Sequence, residues 1–339
     1  MKRLFSAVLL LCALCYAASA RTPELRFNDG GKFKVLQLTD LHLVGGYDAE
    51  ASKTLKQVKE FVRDEKPDLI AVTGDVISHG VNSGYLLDRF LKTIDSLDIP
   101  FFIVFGNHDQ EQELTKAQMA SRITACRNSI NVIGENGELA DMRVPVKTHN
   151  GGEDALELYL LDSHTSIDDE SPLADMHIRY EWFTFDQVWW IRNEFRKSAE
   201  EHGKVLPSAA FFHIPLPEFL EAWERTTSEY FTHNNVDGVR GEYGGHSRMN
   251  SGMFAAMFEA GSIMAVLCGH DHDSDFIVNH YGISLIYGRC SGNDPTYHHL
   301  LPGARVIEFR EGRREFSTWI REENGKISYV NDYSDGVLK

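Results

Sequence analysis

Short apolar runs alternate with amphipathic stretches along most of the chain, the order expected of an α/β fold. Residues 32–39 (KFKVLQLT) form a β-rich run that stops at Asp40. Across residues 48–65, Leu55, Val58, Phe61 and Val62 recur at helical spacing, and Pro67 predicts the stop. The run at 69–73 predicts another strand, and Leu86, Leu87, Phe90, Leu91 and Ile94 outline a second helix. A strand at 101–105 and a helix around 113–127 follow. Runs at 142–146 and 155–161 flank Asn150-Gly151-Gly152 and predict a β-hairpin. Thr184 with Gln187 predicts a capping box opening a helix that carries Val188, Trp189, Ile191 and Phe195. Strands at 209–212, 263–267, 283–287, 304–309 and 316–320 complete the pattern. Segments 166–171 and 233–252 are expected to be loops, and Trp182, Trp189 and Trp190 to pack on a helix face.

The first twenty residues follow another logic. Met1-Lys2-Arg3 is a positive start, residues 4–16 are almost wholly apolar, and Ala18-Ser19-Ala20 is a small-x-small cleavage pattern. The apolar run is shorter than the roughly 20 residues a spanning helix needs. Residues 1–20 therefore read as a signal peptide, with Arg21 as the mature N-terminus, a secreted or periplasmic destination and no integral membrane segment after cleavage. With no linker, repeat or low-complexity tract, residues 21–339 read as one domain with its core at about 33–310. The whole chain of 339 residues carries 50 acidic against 34 basic side chains, a net charge of -16, which disfavours nucleic acid as a partner. Beyond the signal only Cys126, Cys268 and Cys290 remain, too few and too irregular for a disulfide framework or a zinc knuckle.

Candidate chemistry lies where the strands end. Five of the expected strands finish in Asp40-Leu41-His42, Gly74-Asp75, Gly106-Asn107-His108-Asp109, His213 and Gly269-His270-Asp271-His272. Loops that follow strands converge on one edge of an α/β sheet, which is where such folds place their sites. Imidazole, carboxylate and amide oxygen without thiolate are the ligands of Mn, Fe or Zn. Two such ions need a shared carboxylate and about three further ligands each. Asp40, His42, Asp75, Asn107, His213, His270 and His272 meet that demand, with Asp75 as the natural bridge.

In this order the five clusters resemble the D-x-H, GD, GNH[DE], H and GH-x-H motifs of the calcineurin-like metallophosphoesterases, over about residues 33–290. FFHIPLPE at 211–218 and NSGMF at 250–254 are similar to a subgroup of plant and fungal proteins named after purple acid phosphatases, with bacterial relatives. The resemblance implies an α/β/β/α four-layer sandwich with two mixed β-sheets. It implies two divalent or mixed-valence ions, one held by Asp40, His42, Asp75 and His272, the other by Asp75, Asn107, His213 and His270. It further implies in-line attack by a hydroxide between the metals, with His108 protonating the leaving oxygen and Asp109 steadying His108. Purple acid phosphatases carry a Tyr three residues after the GD aspartate; here Ser78 stands there, so the colour is not implied.

The expected function is an exported binuclear-metal phosphoesterase acting on phosphate mono- or diesters. An inert binding protein that keeps the fold and a nuclease of the same superfamily remain as alternatives, and the net charge of -16 disfavours the second. A metallo-β-lactamase motif fails, because Ser274-Asp275 stands where it needs Asp-His. Outside the motifs, His79, His246 and Arg289 are candidates for substrate contact, Arg289 as a phosphate clamp. His149, His202, His298 and His299 are expected to be solvated.

Overall fold

A computed structural model describes residues 23–226, 236–293 and 299–339. The expected signal peptide, the start of the 233–252 loop and His298 lie outside the described residues. The chain opens with β1 (Leu25–Arg26), β2 (Lys32–Leu38), α1 (Asp48–Glu65), β3 (Leu69–Thr73), α2 (Ser83–Asp95) and β4 (Phe101–Val104). After a 3-10 turn at His108–Gln110 come α3 (Lys116–Thr124), β5 (Met142–Lys147), β6 (Asp154–Leu160), α4 (Pro172–Asp175), α5 (Phe185–His202) and β7 (Ser208–Phe211). Then follow α6 (Pro217–Thr226), β8 (Val236–Asp237), α7 (Met253–Ala260), β9 (Ile263–Cys268), β10 (Ile277–His280) and β11 (Ile283–Tyr287). The last elements are β12 (Gly303–Arg310), β13 (Glu315–Glu322), β14 (Ile327–Ser334) and β15 (Val337–Leu338).

Two mixed sheets face each other. One has the order β15-β14-β13-β12-β2-β3-β4, the other β1-β5-β6-β7-β9-β11-β10-β8. The alternation within single strands shows why the layers form. In β3 all five residues are buried, with Leu69 and Ala71 facing the opposite sheet and Ile70 and Val72 facing helices. Phe33, Val35, Phe102, Leu158, Phe211 and Leu267 fill the space between the sheets. Val58, Phe61, Leu87, Phe90 and Met119 close one outer face, and Ile191, Phe195, Phe219 and Met257 the other. The result is the expected α/β/β/α sandwich.

Strand direction then fixes the site. β2, β3 and β4 run parallel in one sheet, and β6, β7, β9 and β11 run parallel in the other. The residues that follow β2, β3, β4, β7 and β9 therefore leave the sandwich at one edge. The hairpin of β5 and β6 and the Thr184–Gln187 capping box form as expected.

Several expectations need correction. The sheet continues past residue 310 through β13, β14 and β15, so the core ends near Leu338. β14 escaped notice because its sequence, ISYVNDYS, is polar and half exposed. α7 (MFAAMFEA) is apolar nearly all round and so lacks helical periodicity. Trp189 is 67% exposed and Trp182 precedes α5; only Trp190 packs against the core of the outer layer. Among the described residues no helix is long and apolar enough to cross a membrane.

Candidate metal centre

All seven ligand residues expected from sequence meet at this edge. Donor atoms of Asp40, His42, Asp75 and His272 lie within 4.8 Å of one another, as do those of Asp75, His213 and His270. Asp75 belongs to both groups. Its Oδ2 lies 3.5 Å from His42 Nε2 and 3.1 Å from His213 Nε2. Asp40 Oδ1 faces His272 Nε2 at 3.6 Å and His42 Nε2 at 3.9 Å. On the other side Asn107 Oδ1 is 3.1 Å and His270 Nδ1 3.3 Å from His213 Nε2.

The chain spends backbone strain and hydrogen bonds to aim these atoms. Asp40, His42, Asp75 and His270 all adopt positive φ, a region that non-glycine residues rarely occupy and that clusters at functional sites. Asp75 Oδ1 accepts the His108 N–H at 2.8 Å, which turns Oδ2 toward the histidines. His213 Nδ1 donates to the Thr73 carbonyl at 2.8 Å, leaving Nε2 as the outward nitrogen. Thr39 Oγ1 donates to Asp40 Oδ2 at 2.8 Å. Gly106 must be glycine, because a Cβ there would fall 2.2 Å from Asp75 Oδ1.

Charge and protonation fit a cation. Burial raises the Asp40 carboxyl, but the His272 hydrogen bond and the His213 charge override it and take the pKa down to about 2. Against the same burial, His213 holds Asp75 well below the ordinary carboxylate range. Burial takes His42 down to about 4 and His270 to about 3, so both imidazoles are neutral at pH 7 with a free lone pair. For His213 burial works the other way from the Asp75 charge and hydrogen bond, which prevail and bring it up to about 10. That proton sets positive charge beside the two carboxylates, and a cation on His213 Nε2 would displace it. His42 Nε2 is moreover buried with no hydrogen-bond partner, and the buried Asp75 Oδ2 depends on its 3.1 Å contact with His213 Nε2, a costly arrangement unless a ligand meets them. The donor set suits two cations sharing Asp75.

His108 stands at the rim, its side chain 36% exposed and its ring 5.2 Å from that of His42. Its expected partner was Asp109, and this is corrected. Asp109 accepts backbone N–H groups from Asp75, Val76, Ile77 and Gly106 at 2.8–3.2 Å, so both oxygens are committed to the loop that carries Asp75. Burial and the Asp75 charge push its pKa up to about 7 against those donors. His108 Nδ1 instead meets Glu111 Oε2 at 2.5 Å. Burial lowers the His108 pKa, but the Glu111 bond and the Asp75 charge outweigh it and raise it.

Arg289 is no phosphate clamp. Only 3% exposed, it gives its guanidinium to Asp275 and to the Leu301 carbonyl at 2.8 Å, neutralising a buried carboxylate. His79 is exposed beyond β3. His246 bonds the Ser247 carbonyl at 2.7 Å and follows Gly245, which lies against His270 so closely that a Cβ would sit 2.3 Å from Nε2. His299 pairs with Asp273 and His149 with Glu311, so neither is merely solvated.

Sequence reasoning missed four supporting residues. Ser163 Oγ accepts the His213 N–H at 3.3 Å and the Ile214 N–H at 2.8 Å. Thr165 Oγ1 donates to the Asn107 carbonyl at 3.3 Å, and Tyr180 stands edge-on to His270 with centroids 4.5 Å apart. Glu111 is the fourth. The polar run Asp162-Ser163-His164-Thr165 after β6 was a visible sixth strand-end cluster.

The chain is similar to known proteins. The family model described as calcineurin-like phosphoesterase matches residues 33–274. Probable inactive purple acid phosphatase 29 of Arabidopsis thaliana is 31% identical over 97% of this chain and 92% of its own length. Phosphatase DCR2 of Saccharomyces cerevisiae is 29% identical over 91% of this chain and 57% of its own length. The crystal structure of a dimetal phosphatase from Danio rerio shares the fold, with a TM-score of 0.59 at 13% identity over 89% of this chain and 99% of that one.

Proposed function

The chain belongs to the calcineurin-like phosphoesterase family, and on that basis we propose that it is an exported, two-metal hydrolase of phosphate esters. The observation that carries the reading is the buried Asp75 Oδ2, set 3.5 Å from His42 Nε2 and 3.1 Å from His213 Nε2, with His42 Nε2 buried and lacking a hydrogen-bond partner. Asp40, His42, Asp75 and His272 would hold one ion, and Asp75, Asn107, His213 and His270 the other, as Mn, Fe or Zn. Bound there, the pair supplies Lewis-acid activation of water and neutralises the phosphate charge. His108 supplies the proton. With Nδ1 held by Glu111, Nε2 is the nitrogen free to protonate the departing alcohol oxygen. Asp109 keeps the Asp75 segment in place through three N–H contacts, those of Asp75, Val76 and Ile77. Ala18-Ser19-Ala20 supports export, which the N-terminal mass of protein from its own host checks.

The plant relative's name calls that protein inactive. Here every donor and the rim histidine are present, which favours a working enzyme over an inert binding protein. The test is to strip the purified chain with a chelator, return Mn, Fe or Zn, and follow metal content together with hydrolysis of p-nitrophenyl phosphate and bis-p-nitrophenyl phosphate. About two ions per chain and metal-restored hydrolysis are expected. His108→Asn should keep the metals and lose about 10²–10⁴-fold in kcat, more for alkyl than for aryl esters. Bound metals without turnover of any ester would overturn the reading in favour of a binding protein.

A further inference from the structure

The His270 ring is held from its sides. Its Nδ1 faces His213 Nε2 at 3.3 Å, Tyr180 stands edge-on to it, and the backbone of Gly245 closes the Nε2 side. Only glycine lets the main chain lie there. A Cβ would fall 2.3 Å from Cδ2 and Nε2 of His270 and 2.8 Å from Asp271 Oδ1.

What keeps Gly245 against the ring is the residue next to His270 in sequence. Asp271 is buried; its Oδ1 accepts the Gly245 N–H at 2.9 Å and its Oδ2 the Tyr287 hydroxyl at 2.7 Å. Tyr287 ends β11, is itself buried and packs against Phe219 and Phe276. The carboxylate is thus fixed from the sheet side and fixes the Gly245 turn in its place. Side chains alternate along this stretch. His270 and His272 supply donors to the metal cluster, while Asp271 and Asp275 bind the segment that carries Gly245, Asp275 Oδ1 accepting the Val239 N–H at 2.8 Å.

We infer that Asp271, backed by Tyr287, is a positioning residue for the ion held by Asp75, Asn107, His213 and His270. It clamps Gly245 onto the His270 ring and so keeps Nδ1 turned to the site. The inference rests on the two-metal phosphoesterase reading. A ring already clamped has little rotamer freedom left to lose when a cation is taken up, so the clamp acts on affinity by preorganisation.

The full chain, stripped with a chelator and titrated with Mn or Zn, reads the two ions without turnover; hydrolysis of aryl and alkyl phosphates then follows on the loaded protein. Asp271→Ala should weaken one ion by about 10–100-fold and keep the other, the usual scale for losing a group that orients a ligand. The weakened ion should be the one lost in His270→Ala, and Asp271→Ala should add nothing on that background. kcat should fall by the same factor for aryl and alkyl esters, because His108 is untouched. Asp271→Asn can keep both hydrogen bonds, Oδ1 accepting from Gly245 and the amide donating to the Tyr287 oxygen, and should restore affinity to within about threefold of wild type. Tyr287→Phe frees one side of the carboxylate, should weaken the same ion by a smaller factor, and reads the clamp if Asp271→Ala does not fold. Three results would overturn the inference. Equal weakening of both ions would make Asp271 a prop of the whole fold. A loss in Asp271→Asn as large as in Asp271→Ala would make its charge the active property. Wild-type binding in both Asp271→Ala and Tyr287→Phe would leave it no role. If the ions respond as expected and no ester is hydrolysed, the phosphoesterase reading fails and the clamp stands.

Discussion

Asp109 and Glu111 bring two carboxylates to one turn, and replacing them separately divides holding the site from running its chemistry. In Asp109→Asn one oxygen becomes an NH2. Whichever way the amide is turned, that group faces two backbone N–H donors, those of Val76 and Ile77 or those of Asp75 and Gly106. Above pH 7, where the Asp109 carboxylate is ionised despite its burial, two charge-assisted hydrogen bonds are lost, each worth about 1.5–3 kcal/mol, so there the variant should be destabilised by about 3–6 kcal/mol. At roughly 2 °C per kcal/mol for a domain of this size, Tm should fall by roughly 6–12 °C. Because the freed N–H groups flank Asp75, metal content should fall too, and the loss of kcat should be equal for aryl and alkyl esters. Glu111→Ala should behave differently. The Glu111 side chain is 41% exposed and makes one bond to His108, so its removal costs at most about 1 kcal/mol. Tm and metal content should hold, while kcat drops most for esters with poor leaving groups. Thermal unfolding, metal analysis and kcat across a leaving-group series read all three. An Asp109→Asn protein with wild-type Tm and metal, but a loss that grows with leaving-group pKa, would refute this division and return Asp109 to His108.

Three further outcomes are expected. Asp75→Ala should abolish binding of both ions rather than one, as metal analysis would show, since its carboxylate lies in both donor groups. Gly245→Ala places a Cβ 2.3 Å from His270 Nε2, so the ring must move; kcat should fall at least about tenfold and binding titrations should show one ion weakened and the other kept. His280 is buried against Phe254 and Tyr281, and burial followed by the Arg225 charge lowers its pKa from 6.5 to about 4. The unfolded chain therefore takes up this proton first, stability is full above pH 6.5, and on the order of 2 kcal/mol is lost as the pH falls toward 4. His280→Gln should show a smaller loss across that window in urea unfolding.

The seven candidate ligands were legible because each follows an apolar run long enough to be a strand, and parallel strands release their ends at one edge. The partner of His108 was misread for a geometric reason. Neighbours in sequence point apart in a 3-10 turn, while residues three apart are stacked. The spacing His108-x-x-Glu111 therefore held the information that adjacency of Asp109 obscured. Thr165 and Tyr180 were beyond reach, since their partners lie 58 and 90 residues away and no local pattern encodes them. Arg289 looked functional because it follows a strand, yet Asp275, fourteen residues earlier, was a buried charge in need of a partner. Sequence shows charges well but not which of them are buried.

The left-handed backbone at Asp40, His42, Asp75 and His270 makes the site a standing burden on the fold. Each such residue costs on the order of 1 kcal/mol, although Asp and His tolerate the region better than branched residues do. Glycine at any of the four would relieve the backbone and silence the chemistry in one substitution. Random drift therefore runs downhill away from this site, toward a firmer and inert protein. A lineage with no use for the cations would gain stability by giving these side chains up, one codon at a time. Four such residues gathered at one candidate centre concentrate that cost where the donor atoms converge.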